Sequence, residues 1–358
     1  MLQSQELAGH GKITEQQVQQ PVGSHTVLPN RPPHAPGPTL EHSWQFSAAA
    51  LMAVPLAAAT ALILHLVLSR TQPPAEARTY TNFLVTFLTV SVTAAMMQRR
   101  WPKIRAALWR MRPLFTAAIL LLALWELVTA GLHLLPLPYF PSPAGVLQSL
   151  VNDRKLLFDS TWHSLVLLLS GYALGVFAGF VSGVCIGWSG TARYWGMPLL
   201  KVVGPVPATA WIPLAMVVSP SAVMSAAALI ALAVWFPVTM LTASGVANTR
   251  TSYLDVARTL GATQRFLVFR VAVPAALPSI FVGLFMGLGA SFLTLVVAES
   301  VGVKSGLGWY VSWAQGWAEY GKVYAALVIM AAFFSTVMTL LFKIRDRVLV
   351  WQKGMIRW

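Results

Sequence analysis

Apolar residues run along this chain in blocks long enough to cross a bilayer, which takes about 20 residues of helix. Such blocks fall near 47–68, 80–97, 114–135, 161–188, 197–218, 222–245, 277–298 and 323–345. The second is short, and the fifth and sixth nearly merge at Ser219-Pro220-Ser221, so the pattern predicts eight spans, one more or one fewer. The N-terminal region breaks it. Segments such as TEQQVQQPVG and LPNRPPHAPGP are Gln-rich and Pro-rich, which predicts a disordered tail rather than a cleavable signal. The turn SRTQPPAEART then separates the first two blocks into a two-helix hairpin. The basic stretch QRRWPKIRAALWRMR that follows reads as a positive-inside anchor, with an interfacial amphipathic helix as the alternative.

Composition agrees with the blocks. Of 358 residues 56% are hydrophobic and 10% charged, against about 25% charged in soluble domains. A formal charge of +14 raises the question of nucleic acid, and the positions of the charges answer it. Basic residues gather in Arg99 to Arg112, in Arg250, Arg258, Arg265 and Arg270, and in Lys343 to Arg357, while the connections between them are near balance. Lys/Arg excess marks cytoplasmic loops, so the three clusters share one side and eight spans put both termini inside. No nucleic-acid partner is expected; membrane lipid is.

Chemistry is sparse. Cys185 stands alone, so no intrachain disulfide can form. No phosphate loop of the type G-x-x-x-x-G-K-[ST] occurs, the nearest string being GVKSGLG, so this chain is expected to bind no nucleotide or other cofactor and to catalyse nothing. His65, His133 and His163 are dispersed and lack metal-ligand spacing.

Within the spans four features attract attention. Gly171, Gly175, Gly179 and Gly183 recur every four residues, a face suited to close helix packing or to a moving helix that lines a pathway. Glu126 is an intramembrane carboxylate, by default a functional group, though a structural pairing is the simpler reading. Pro205, Pro207 and Pro213 interrupt GPVPATAWIPL, which suggests a hinge or pathway, or a short helix shaped for packing. Thr209, Trp211 and Ser219, with Glu126, are the pathway candidates. Glu299 lies at a span end where a carboxylate reaches water, and Trp309, Tyr310, Trp313, Trp317 and Tyr320 read as an interfacial belt, or as the edge of a docking site.

The stretch YLDVARTLGATQRFLVFRVAVPAALP is different. Leu254, Ala257 and Leu260 form the apolar stripe of a short helix, Gly261 can stop it in the left-handed conformation, and Thr263 can cap a second helix that runs to Pro274. Two short helices at an angle form a knob. Physics alone leaves it open whether the knob grips a soluble partner or lies on anionic lipid.

The segment resembles the EAA loop of ABC importer permeases, whose pattern is Glu-Ala-Ala, three residues, Gly, nine residues, Ile-x-Leu-Pro. Asp255, Val256, Ala257, Gly261, Val271, Val273 and Pro274 occupy those positions, with Asp for Glu and Val at three apolar places. PSPAGVLQSL, SGYALGVFAGF, GPVPATAWIPLAMV and AESVGVKSGLGWYV extend the likeness, to the nitrate, sulfonate and taurine branch, over roughly 113–358. The resemblance implies an all-α type I ABC importer fold of about six core helices, to which the N-terminal hairpin is an addition. It implies these parts: tail 1–46, hairpin 47–98, basic linker 99–112, first core helix and external loop 113–155, transmembrane domain 156–346 with the EAA loop at 253–274, and basic tail 347–358. It implies as partners an ABC ATPase subunit carrying ATP and Mg, an extracytoplasmic solute-binding protein and a second permease subunit, most simply a homodimer. Asp255, Ala257, Arg258, Gly261, Arg265 and Pro274 would then couple ATPase closure to the spans, Arg258 and Arg265 pairing with acidic groups of the partner. The cargo would be a small anion such as nitrate, sulfonate, taurine or bicarbonate, or a small heterocycle, and the setting a bacterial-type inner membrane. A secondary transporter driven by an ion gradient is the competing class; it would want paired ionisable groups at mid-membrane.

Overall fold

The computed structural model describes residues 52–69, 73–97 and 102–351, with only the backbone at 102–110. The N-terminal tail and residues 352–358 lie outside the described residues. Twelve helices follow in order: α1 Ala53–Leu68, α2 Pro74–Met97, α3 Pro102–Glu126, α4 Pro143–Asn152, α5 Arg154–Trp188, α6 Gly190–Val203, α7 Ile212–Val218, α8 Ala222–Ala247, α9 Thr251–Thr259, α10 Gln264–Val301, α11 Leu307–Gly316 and α12 Tyr320–Val348. Six of them are long and apolar enough to span a bilayer, namely α2, α3 with its extension to Gly131, α5, α8, α10 and α12. Helix α1 has 16 residues, about 24 Å of rise, short of a hydrocarbon core of about 30 Å.

Two expectations about the spans change. The block 197–218 is not one helix: Gly190–Val203 and Ala208–Val218 meet at 85°. Pro205 and Pro207 cannot donate backbone hydrogen bonds, and Pro207 takes an extended ψ of 137°, so the chain leaves the helix between them. Pro213 falls in the first turn of α7, where its missing N–H costs nothing. The described part of the basic linker, 102–112, is not separate either. From Pro102 the backbone is helical through Pro113 to Glu126, consistent with a run of good helix formers in KIRAALWRMR. At Leu127–Gly131 the helix widens into a π-turn, closed by the Leu132 N–H donating to the Leu127 carbonyl at 2.7 Å.

The main core is built by α5, α8 and α10, whose Leu168, Leu229, Ile230, Val234, Val238, Leu288 and Leu295 pack together. The glycine stripe of α5 makes this possible. Gly171, Gly175, Gly179 and Gly183 are buried against α8, and Gly187 continues the row. A Cβ on Gly175 would stand 2.5 Å from the Ala231 carbonyl oxygen and 2.7 Å from Val234 Cβ, so the two backbones touch. The stripe is thus a packing face. A second cluster joins the hairpin to the rest: Ala57 and Ala61 of α1 and Tyr80 and Leu84 of α2 pack with Ile119 and Ala123 of α3 and Ala144 of α4.

Candidate functional site: an exposed knob and three membrane-embedded polar sites

Helix α9 ends as its sequence demands. Gly261 adopts φ +80°, where an L side chain is strained, and the N–H groups of Gly261 and Ala262 donate back to the carbonyls of Arg258 and Ala257 at 2.9 and 3.0 Å. Thr263 then caps the next helix, its Oγ1 accepting from the Phe266 N–H at 3.4 Å. Of the predicted stripe Leu254 and Ala257 are half-buried, whereas Leu260 is 81% exposed. Tyr253, Val256, Phe266 and Phe269 are exposed beside it. Five large apolar side chains therefore surround a turn that already has its backbone satisfied.

Two details differ from expectation. Arg258 Nη1 meets Asp255 Oδ1 of its own helix at 2.8 Å, one turn away, so the cation has an intrachain partner; Arg265 is exposed with no ion pair among the described residues. The second helix does not stop at Pro274. It widens into a π-turn at Leu267–Ala272, where the Val273 N–H donates to the Val268 carbonyl, and continues to Val301 with Pro274 in the first turn of the α-helical part. The π-turn shifts the hydrogen-bond register immediately before a residue that has no N–H to give.

The four pathway candidates do not converge. Thr209 lines a cavity of about 340 Å3 beside the bend, together with Val206, Pro207, Phe236, Met286 and Thr294. Trp211 packs against the main core, its indole N–H enclosed and without a hydrogen-bond acceptor among the described residues. Ser219 is half-buried at the end of α7. Glu126 is not among the residues that line that cavity.

Glu126 is fully buried against His65 of the hairpin, Oε1 to Nδ1 2.5 Å, with both side chains inaccessible to solvent. His65 Nε2 faces the Ala77 carbonyl at 3.1 Å and Thr81 Oγ1 at 3.0 Å. A carbonyl only accepts, so Nε2 carries a hydrogen and Nδ1 faces the carboxylate. Tyr80 covers the imidazole edge-on, ring centroids 4.9 Å apart. Nothing in the spacing of His65 and Glu126, 61 positions apart, announces this contact.

Glu299 does not reach water. It is 1% exposed: Ser164 Oγ donates to its Oε1 at 2.7 Å and the Gly308 N–H to its Oε2 at 2.8 Å, while the Leu307 N–H donates to Ser164 Oγ at 2.8 Å. The carboxylate thereby caps the N-terminus of α11, where the orphan N–H groups and the helix dipole favour an anion. Gly306 turns into this helix at φ +106°. Nor does Tyr310 belong to an interfacial belt. It is fully buried, donating to Asp153 Oδ2 at 2.7 Å; burial and the neighbouring carboxylate hold its phenol far above the ordinary tyrosine range, so it stays a donor. Lys322 joins Asp153 at 3.4 Å and Glu319 at 2.7 Å. Ser164 and Asp153 carried no signal in the sequence; the glycines of SGLG beside an intramembrane glutamate did, in retrospect.

Residues 171–350 match the family described as "Binding-protein-dependent transport system inner membrane component". The chain belongs to this family. It is 30% identical to a probable ABC transporter permease protein of Haemophilus influenzae, over 62% of this chain and 90% of the relative, and 32% identical to the taurine transport system permease protein TauC of Escherichia coli, over 65% and 85%. The putative aliphatic sulfonates transport permease protein SsuC of Bacillus subtilis is 30% identical over 62% and 80%. Among solved structures, inward facing conformations of the MetNI methionine ABC transporter align with a TM-score of 0.48 at 17% identity, over 55% of this chain and 98% of that chain. The protein is thus a multi-pass ABC importer permease, all-α among its described residues, and its relatives are named as transport permeases.

Proposed function

We propose that this permease forms the translocation pathway of an ATP-driven importer, receives a small sulfonate-like anion from an extracytoplasmic solute-binding protein and works as a homodimer in a bacterial-type inner membrane with both termini cytoplasmic. The observation that carries the reading is the knob at 251–270. Five large apolar side chains exposed around a rigid turn need a cover, and a groove in an ATPase subunit supplies one. Asp255 and Arg258 present a ready-made ion pair at its rim, and Arg265 a cation with no ion pair among the described residues, for acidic and basic groups of that partner. ATP and Mg would sit on the ATPase, whose closure pulls α9 and, through the π-turn at 267–272, the whole of α10.

TauC and SsuC are named for taurine and aliphatic sulfonates, which supports a small organic anion as cargo. The cavity beside the α6–α7 bend, lined by Thr209 and Thr294, is the segment of the pathway we assign to it. Although Glu126 and His65 form the kind of buried ionisable pair a secondary transporter would use, they are not among the residues that line this cavity.

The test is affinity purification of the tagged protein from gently solubilised native membranes, with mass spectrometry of what accompanies it. Recovery of an ATPase subunit that is lost on Gly261→Val supports the reading. An intact permease that brings down no ATPase overturns it.

A further inference from the structure

Helix α2 has two opposite faces. Ala77, Tyr80, Leu84 and Ser91 are buried, Tyr80 and Leu84 within the cluster that joins the hairpin to α3 and α4. At about 100° per residue, Asn82, Thr86, Thr89 and Thr93 fall within an arc of about 60° on the other side of the helix, and all four are exposed. The face turned away from the rest of the described residues is therefore the polar one. This helix has the length and composition of a bilayer span. Its 24 residues rise about 36 Å, against about 30 Å of hydrocarbon, so Asn82, the ninth of them, lies inside the apolar zone when the span is centred.

The four polar residues are not equivalent. Thr86, Thr89 and Thr93 donate to carbonyls of their own helix, those of Asn82, Thr86 and Val90, at 2.7, 2.8 and 2.9 Å. The Asn82 side-chain amide has no hydrogen-bond partner among the described residues. An amide left so in hydrocarbon is costly, and lipid tails offer it nothing. A primary amide carries both donors and an acceptor, so a second primary amide is its complement. A second copy of this chain, inserted in the same orientation, brings exactly that group to the same depth. The spacing of the four positions, four, three and four residues, is the heptad spacing that keeps two parallel helices in contact along one line. Threonine is small enough for close approach there, and its stiff χ1 leaves little freedom to lose. Arg78, exposed one turn outward from Asn82, has a long stem that carries its guanidinium to the headgroups and clear of this line.

We propose that the outward face of α2 is a homotypic interface, through which two copies of this permease pair α2 against α2 in parallel, the two Asn82 amides hydrogen-bonded across a two-fold axis along the membrane normal. Such an interface is self-complementary, with the same residues on both sides. It lies outside residues 171–350, which the family model matches, so it does not depend on the cargo, on the ATPase or on how those matched domains pair.

The experiment reads the face residue by residue. In the full-length protein with Cys185→Ser, a single cysteine replaces either Thr89 or Val90, and disulfide cross-linking by a membrane-permeant copper oxidant is timed in native membranes. Val90 is 60% exposed and about 100° round the helix from Thr89, so access alone does not favour either position. Thr89→Cys is expected to form the dimer at least about fivefold faster than Val90→Cys if helices meet along the polar line. Adding Asn82→Leu to Thr89→Cys is expected to slow cross-linking by about threefold to thirtyfold, the range for a hydrogen bond between membrane helices. Asn82→Gln, which keeps the amide, is expected to stay within about twofold of the parent. Equal rates at positions 89 and 90 overturn the proposal, as does an unchanged rate in Asn82→Leu or an Asn82→Gln loss equal to it. A Thr89→Cys product that joins the permease to a different protein, identified by mass spectrometry of the band, also overturns it.

Discussion

Ser164 and Glu299 stand 135 residues apart in the chain and 2.7 Å apart in the fold, hydroxyl to carboxylate, both buried. Together they hold the start of α11. Ser164 Oγ accepts from Leu307 while donating to Glu299, which also takes the Gly308 N–H, so α5, α10 and α11 are tied at one point. Glu299→Ala strands the Gly308 donor and the Ser164 hydroxyl. The expected cost is about 1–3 kcal/mol per stranded group, read as a lower melting temperature of the purified protein in detergent, with Glu299→Gln retaining part of the loss.

Gly306→Ala tests the same point from the backbone. At φ +106° and ψ 169° Gly306 occupies a region open essentially to glycine, and its added Cβ would also meet the Glu299 carboxylate. A destabilisation of about 1–3 kcal/mol from the backbone alone is expected, again by thermal melting.

Gly261 differs because its φ of +80° is the only obstacle: no atom lies within 4 Å of a Cβ built there. Gly261→Asn, which tolerates the left-handed region, is expected to preserve transport, whereas Gly261→Val pays about 1–2 kcal/mol to reach it and distorts the turn. Both variants should reach the membrane in normal amount on immunoblots, and only the valine variant should lose ATP-driven uptake.

The α5–α8 contact predicts a position-specific response. Gly175→Leu drives a side chain into the Ala231 carbonyl and is expected to destabilise by about 3 kcal/mol or more, while Gly190→Ala, which meets nothing within 4 Å, stays within about 0.5 kcal/mol of the parent. Chemical denaturation in mild detergent, followed by tryptophan fluorescence, separates the two.

Asp255 and Arg258 are more than half exposed, and such pairs contribute about 0–1 kcal/mol. Asp255→Ala should therefore leave the melting temperature nearly unchanged and still reduce recovery of the ATPase subunit in affinity purification. A large stability loss with full ATPase recovery would reverse the assignment of this pair from partner contact to structural support.

Much of this protein is legible along the chain. The glycine period of α5, the Gly261 stop and the Thr263 cap are local: each depends on the residue's own conformational preference or on neighbours within a turn or two, and each is found where the sequence puts it. Of the eight predicted span blocks, six are spanning helices among the described residues, the first being too short and 197–218 bent. The bend at 204–207 was signalled by its prolines, though not its angle, because the angle depends on what α8 and α10 leave free. The polar contacts were of another kind. His65 with Glu126, Ser164 with Glu299 and Tyr310 with Asp153 join elements that only helix packing brings together, and a carboxylate near a span end looks the same in sequence whether it meets water or a helix N-terminus. The sequence by itself determined that this is a helical membrane protein with a capped, basic knob between two spans. The tertiary structure alone decided where its buried carboxylates go, because burying a charge is tolerable only beside a partner, and partners are chosen by packing.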